Sequence, residues 1–585
     1  MFRFILVKVL FFCIIFFISN CNSSVAFSSV VPGAKLNYTE IEAENMVVAS
    51  GVTVLSAPSY PNTPSGKVQD TVPVEASNKQ CVQLKSTSDS ISYTADRKYN
   101  TIVIRYCVPI DATDSKINVE VDGKNWATLR ASNKFCYIEG WTYNEKTPQE
   151  YPKPKVIDKN THHFFDEARA KGADILPGQT IKISGDLCDS NNWYIIDLIN
   201  LEYVDTKYTL GSTTFFTMPD DFISISKYKT DNKLIDKDWA NIINKCITEV
   251  KDGKYTGIWI PAGEYELDAK IEVSGIKIYG EGMWHTNLIR TTVKNYEVFT
   301  CIGGDNEFKN FAILGSTVNR DDPKQDNAFG GNPGENTILD SLWIEHTKCG
   351  FWVIAGDKLT IKNCRIRNLY ADGVNFCGGT TNSLIYNCNF RNTGDDSIAA
   401  WSSTAQGKKE IDANNTFDQN TVQVPWRASC IALYGGDRNL VTNNYCHDSC
   451  VYPGINIAQN FDPHPFVGTT VIDNNKLEGC GGNWQGEWQS SINISPWQNP
   501  IKNLQFTNNT IIAPVYVGIY FSGFYNKNII NATFENTNFQ EPGSSHCQVL
   551  VRSYAYGEAT FTNSNLTKSD IKNNSANFEI NRITN

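Results

Sequence analysis

Three carboxylates spaced by one short repeat are the residues of this 585-residue chain most suited to chemistry. Asp372 stands in Ala371-Asp372-Gly373-Val374-Asn375-Phe376, and Asp395 and Asp396 stand in Gly394-Asp395-Asp396-Ser397-Ile398. Asp372 and Asp396 are 24 residues apart. If one repeat makes one coil of stacked strands, the two hold equivalent positions on neighbouring strands, about 4.8 Å apart. Carboxylates that close repel, so such a group suits holding a water, a metal or a proton. Asp-Gly and Gly-Asp are also turn dipeptides, which accounts for one aspartate at a coil corner better than for three. Sugar hydrolysis needs one carboxylic acid to protonate the leaving oxygen and one carboxylate to activate water. In that chemistry Asp372 and Asp396 are expected to share a water as paired bases. Asp395 beside them is expected to act as the acid, its pKa raised by its two neighbours.

The elements that would position them recur along the second half of the chain. Segments at 337–356, 359–379 and 383–403 carry short β patterns with Asn-rich turns, and aligning Gly350, Gly373 and Ser397 gives steps of 23 and 24 residues. Cys430 to Gly454 is another step of 24. Runs too short for helices at that period imply a right-handed parallel β-helix, assigned to residues 251–585. Asn363, Asn387 and Asn443 are expected to stack as amide ladders in its turns. Residues 206–250 read as a linker and an amphipathic helix whose apolar positions (Trp239, Ile242, Ile243, Cys246, Ile247) would cap the open end of the solenoid. Residues 36–205 show short alternating runs between Gly, Asp, Asn and Pro turns, the pattern of a β-sandwich. The fold class expected is therefore all-β, a β-sandwich followed by the β-helix.

A formal charge of −10 without a basic stripe excludes a nucleic acid partner. Arg3 and Lys8, a short apolar run and small residues to Ala26 have the layout of a signal peptide over residues 1–26. Export, with no membrane association after cleavage, and a monomer follow as expectations. Of 17 cysteines, Cys13 and Cys21 lie in or beside that segment. Cys364 and Cys388, one coil apart, are either a disulfide or stacked thiols. Sequons at Asn37, Asn414, Asn493, Asn508, Asn531, Asn565 and Asn573 fit an exported glycoprotein. His447 beside Asp448 has no nucleophile motif with it, which favours a surface or turn role.

Two resemblances add to this reading. The opening Tyr38-Thr-Glu-Ile-Glu42-Ala-Glu44 and the closing Tyr194-Ile-Ile-Asp197 resemble carbohydrate-binding β-sandwich modules that hold a structural calcium. The resemblance implies Glu42, Glu44 and Asp197 as calcium ligands, and oxygen-only ligation suits that ion. Over roughly 250–460, Pro261 to Leu267, Tyr279 to Arg290, Asp326 to Gly331, Ile344 to Trp352 and the two aspartate motifs resemble the alpha-1,3-glucanase and mycodextranase family, glycoside hydrolase family 87. That resemblance implies an endo-acting, inverting hydrolase of alpha-glucan that uses Asp372, Asp395 and Asp396 and needs no catalytic cofactor. Glu345, His346, Trp352 and Trp401 flank the same coils and are candidates to bond or stack on sugar. A polygalacturonase would add a Gly-His-Gly segment, which is absent. A pectate lyase would add a calcium cluster and a catalytic arginine. A non-catalytic wall or coat lectin would have no use for a mutually repelling trio.

Overall fold

A computed structural model describes residues 30–57, 72–139, 153–157, 161–186, 192–205, 209–210, 213–214, 218–228, 238–405, 410–484 and 487–583. The expected signal segment, residues 1–26, and Cys188 lie outside the described residues. Pro32–Asn585 form one compact unit, and Met1–Val31, almost all of it undescribed, is a second.

The N-terminal part is a sandwich of two antiparallel sheets. One runs in the order Asp166–Ile175, Tyr99–Cys107, Tyr194–Glu202, Gln80–Leu84 and Thr53–Ser56, with Thr39–Glu42 also on Tyr194–Glu202. The other runs Val47–Val48, Ile91–Thr94, Thr180–Gly185, Ser115–Val121 and Lys124–Ala131. Ser115–Val121 alternates buried and open residues, as a strand with one wet face does. Tyr99–Cys107 and Tyr194–Glu202 are buried at every position. Their inner residues, such as Ile104 and Ile196, fill the sandwich core. Their outer residues lie against the β-helix, so both faces of the sheet are covered.

The β-helix consists of three parallel sheets of 14, 11 and 12 strands. Its first sheet begins at Phe222–Ser224, which pairs with Gly257–Ile260, so the solenoid starts before the helix rather than after it. That helix, Trp239–Lys251, is N-capped by the Asp238 side chain and buries Ala240, Ile242, Ile243, Cys246 and Ile247. These side chains join the interior of the first coil. The aligned positions pair as expected: Gly350 N donates to Asp372 O and Gly373 N to Asp396 O, each at 3.1 Å. Insertions stretch other steps, so Ile398 pairs with Ile431 and Ile455 with Ile492. Asn363, Asn387 and Asn443 have φ of 56°, 53° and 54°, the left-handed region Asn tolerates best among non-glycines. Asn387 donates to Asn363 Oδ1 at 2.8 Å, Asn443 to Asp418 at 2.7 Å and Asn474 to Asn443 at 2.8 Å. A second ladder, Asn420, Asn444, Asn475 and Asn509, runs buried along the same turns at 3.0 Å per link.

All fourteen described cysteines are buried free thiols. Cys364 and Cys388 stack on neighbouring coils, with the Cys364 amide 3.4 Å from Cys388 Sγ. Among the described residues no helix is long and apolar enough to cross a membrane.

Candidate active site

The turn from the second sheet to the third places all three carboxylates. Asn368 and Asn392 open this turn on successive coils with φ of 52° and 59°, and Asn392 donates to Asn368 at 3.0 Å. Each turn then delivers its aspartates just ahead of a third-sheet strand, Val374–Cys377 or Ile398–Trp401. Two glycines allow this close stacking. A Cβ on Gly373 would meet the Ser397 carbonyl at 2.2 Å, and one on Gly394 would meet Trp426 at 2.3 Å and the Tyr370 backbone at 2.5 Å. Below the turn the buried Tyr370 donates to Phe135 O of the sandwich at 2.8 Å, and Trp426 Nε1 donates to Leu369 O at 3.2 Å.

Asp372, Asp395 and Asp396 each bring one carboxylate oxygen within 4.8 Å of the others, the one acidic cluster of this kind among the described residues. Asp372 and Asp396 are 5% and 4% exposed, whereas the Asp395 side chain is 24% exposed. Asn375 Nδ2 donates to Asp372 at 3.1 Å. Asp396 accepts from Ser429 N and from Tyr434 OH, both at 2.8 Å. Asp395 accepts from Arg320, which also holds Asp322 at 2.8 Å, and Arg427 lies 3.9 Å away. Burial, then the charges of Asp395 and Asp396, push Asp372 well above the usual carboxylate range. Burial and Asp395 push Asp396 up to about 7, against its two donors. Burial alone would raise Asp395 too, but Arg320 and then Arg427 hold it below its ordinary value. The expectation that Asp395 carries the raised pKa is thus corrected. The sequence reading counted its two acidic neighbours and missed the arginines.

Arg320 lies in the insertion Ser316–Asp326 and Arg427 follows Pro425-Trp426, outside the repeating columns, so no periodicity marks them. Tyr434 had a signal: it pairs with Trp401 on the next coil, the position the column reaches once the insertion after Trp401 is skipped.

The four sugar-contact candidates separate. Trp352 and Trp401 lie on the outer face of the third sheet, half-buried, with ring centroids 6.1 Å apart. Glu345 and His346 lie on the second sheet and face the sandwich. Trp343 Nε1 donates to Glu345 at 2.5 Å. His346 Nε2 is 2.7 Å from Asp166, and its ring stacks on Phe135 at 3.6 Å. A sandwich lies over them, so they hold domains together instead of lining the groove. His447 and Asp448 are buried as well, not superficial. Asp448 accepts from Asn78 N at 2.7 Å and pairs with Lys79 at 3.3 Å, pinning the sandwich to a coil turn.

At Glu42, Glu44 and Asp197, the calcium ligands implied by the resemblance, protein groups take part of the carboxylate oxygens, while Glu42 Oε2 and Glu44 Oε2 are buried with no hydrogen-bond partner among the described residues. Asp197 pairs with the buried Arg105 at 2.5 Å and accepts from Ser77 N at 3.0 Å, while Glu42 accepts from Ser77 Oγ at 2.7 Å. Arg105 supplies the positive charge there. The three carboxylates do not converge as Asp372, Asp395 and Asp396 do.

A search of curated proteins gives no match. Family models described as alpha-1,3-glucanase catalytic domains D1 and D2 match residues 35–204 and 235–585. Among solved structures, the catalytic domain of a GH87 alpha-1,3-glucanase aspartate-to-alanine variant in complex with tetrasaccharides is 26% identical, with a TM-score of 0.81 over 95% of this chain and 100% of that one. The catalytic domain named Agl-KA is 24% identical, with a TM-score of 0.81 over 97% of this chain and 100% of that one. The catalytic unit of the enzyme from Streptomyces thermodiastaticus is 23% identical, with a TM-score of 0.75 over 94% and 97%. Sequence families across both domains and a shared fold agree: this chain belongs to the alpha-1,3-glucanases of glycoside hydrolase family 87.

Proposed function

We propose that this protein is an exported glycoside hydrolase that cleaves alpha-1,3-glucosidic bonds within alpha-glucan, by general acid and base catalysis with inversion at Asp372, Asp395 and Asp396. The observation that carries the reading is the split trio: three clustered carboxylates, one paired with arginines that lower its proton affinity beside two whose proton affinity is raised by burial and like charge. Glycosidic cleavage needs a protonated and an ionised carboxyl at once. Oxygens within 4.8 Å of one another are close enough for one water to hydrogen-bond two carboxylates, since each such bond spans roughly 2.7 Å. That water attacks the anomeric carbon and gives its proton to an ionised carboxylate of the trio, while the leaving oxygen takes the proton of a protonated one.

Support for the site comes also from the solved relatives. Three of them carry single aspartate-to-alanine substitutions whose positions are separated by 23 residues and then by 1. Asp372, Asp395 and Asp396 have the same separations. Complexes of those relatives with nigerose and with tetrasaccharides favour an alpha-1,3-linked substrate here. Inversion is tested by following the anomer released from a soluble alpha-1,3-oligosaccharide by NMR. The β-anomer forming first supports it, and the α-anomer forming first refutes it.

A further inference from the structure

The most exposed aromatic side chains among the described residues are Tyr525 at 82%, Phe461 at 63%, Trp497 at 53%, and Tyr203 and Tyr554 at 44%. Four of these five share one place in the fold. They follow the third-sheet strands Ile455–Ala458, Ile492–Ser495, Ile519–Phe521 and Val549–Val551, which are successive neighbours in that sheet. Lone exposed rings need no explanation, but a column of them along one rim does.

The column is continuous with the carboxylates. Tyr434, which donates to Asp396, meets the Phe461 ring edge-on at 5.5 Å, and Trp401 Nε1 donates to Phe461 O at 2.9 Å. Farther on, Trp497 lies 4.4 Å from Phe524, and Tyr525 lies 4.5 Å from Tyr554. Beside the rings a polar chain runs on the outer face of the same sheet. Asn456 donates to Tyr434 OH at 3.5 Å, Asn493 to Asn456 at 2.9 Å, and Ser522 Oγ to Asn493 at 2.9 Å. Trp497, Tyr525 and Tyr554 stand three to five coils beyond Asp396, or about 14–24 Å along the axis at ~4.8 Å per coil.

We propose that Trp497, Tyr525 and Tyr554 form a distal track that holds a neutral glucan chain away from the point of cleavage. Rings stack on sugar faces, and amides and hydroxyls bond sugar hydroxyls. The rim rings carry no charge, and the nearby Arg552 is matched by Glu487 at 3.7 Å, which suits an uncharged polymer over a polyanion. The track rests on the reading of the carboxylates as a glucan hydrolase. Linking it to that site raises the local concentration of polymer only, because a short oligosaccharide does not span both.

The test uses the full mature chain with Trp497→Ala, Tyr525→Ala and Tyr554→Ala combined. Binding to insoluble alpha-1,3-glucan is measured in an Asp395→Asn background, and turnover of a soluble alpha-1,3-tetrasaccharide is measured with Asp395 intact. The expected result is at least tenfold weaker binding to the polymer, with tetrasaccharide turnover within twofold. Unchanged polymer binding overturns the track. So does a change in sedimentation alone, which would make the rim a contact between copies. If the parent protein leaves the tetrasaccharide intact yet binds glucan through the rim, the catalytic reading fails and the track stands.

Discussion

At the residue scale, the chemistry is set by which charges surround each aspartate. Arg320 keeps Asp395 ionised, so replacing it should raise the proton affinity of Asp395. An opposite charge at this range is worth roughly 1–3 pKa units. In Arg320→Ala the acidic limb of kcat/KM should therefore move up in pH by at least about one unit, while the alkaline limb, which reports the raised Asp372 and Asp396, stays near its place. An unmoved acidic limb would contradict the assignment. The clustering of the three aspartates was legible from the sequence because Asp372 and Asp396 repeat one coil apart and Asp395 adjoins the second. Arg320 and Arg427 were not, because each sits in a segment that interrupts the repeat, and only folding brings them to Asp395.

At the scale of elements, the second sheet of the β-helix and the sandwich sheet that contains Tyr99–Cys107, Asp166–Ile175 and Tyr194–Glu202 meet through buried ions. Arg365 forms a two-pronged pair with Glu202 at 2.6 and 2.8 Å. Glu167 takes Arg367 at 3.0 Å and Arg391 at 2.6 Å, and Asn200 accepts from both arginines at 3.2 and 3.0 Å. Replacing such charges with a fitted apolar pair need not destabilise, but removing one partner strands the other. Glu167→Gln leaves two buried guanidinium groups and should cost about 3–5 kcal/mol in denaturant unfolding. A loss under about 1 kcal/mol would show that the network contributes little. Burial alone would raise Glu167, but Arg367 and Arg391 bring it down to about 2. Its contribution is thus complete above the unfolded carboxylate pKa and is lost as pH falls through about 2. Strand periodicity and the Asn ladders could be read from the chain because they depend on neighbours one coil apart. The docking face could not: nothing in the repeat sets Arg365, Arg367 and Arg391 apart from the polar residues of a wet sheet face, and Glu345 and His346 are candidates for sugar contact until the sandwich covers them.

At the scale of the whole molecule, the sandwich is a buttress for the turns that carry the three aspartates. Phe135 and Phe165 accept through their carbonyls from Tyr370 and Asn392, the residues that lead into Asp372 and Asp395. Shared burial of this kind predicts one cooperative transition in calorimetry for the two domains together, whereas two separated transitions would show that they fold independently. The division into sandwich and solenoid was visible in the change from alternating runs to a 24-residue period. Their mutual dependence was not, since it lives in contacts hundreds of residues apart in sequence. The measurement that bears most directly on the central claim is reducing-sugar release from insoluble alpha-1,3-glucan by the purified protein and by folded Asp372→Asn, Asp395→Asn and Asp396→Asn variants. The account predicts release by the parent and a fall of roughly 10²–10⁴-fold in each variant. Release that survives all three substitutions, or a parent active on polygalacturonate and inert toward the alpha-glucan, would contradict it.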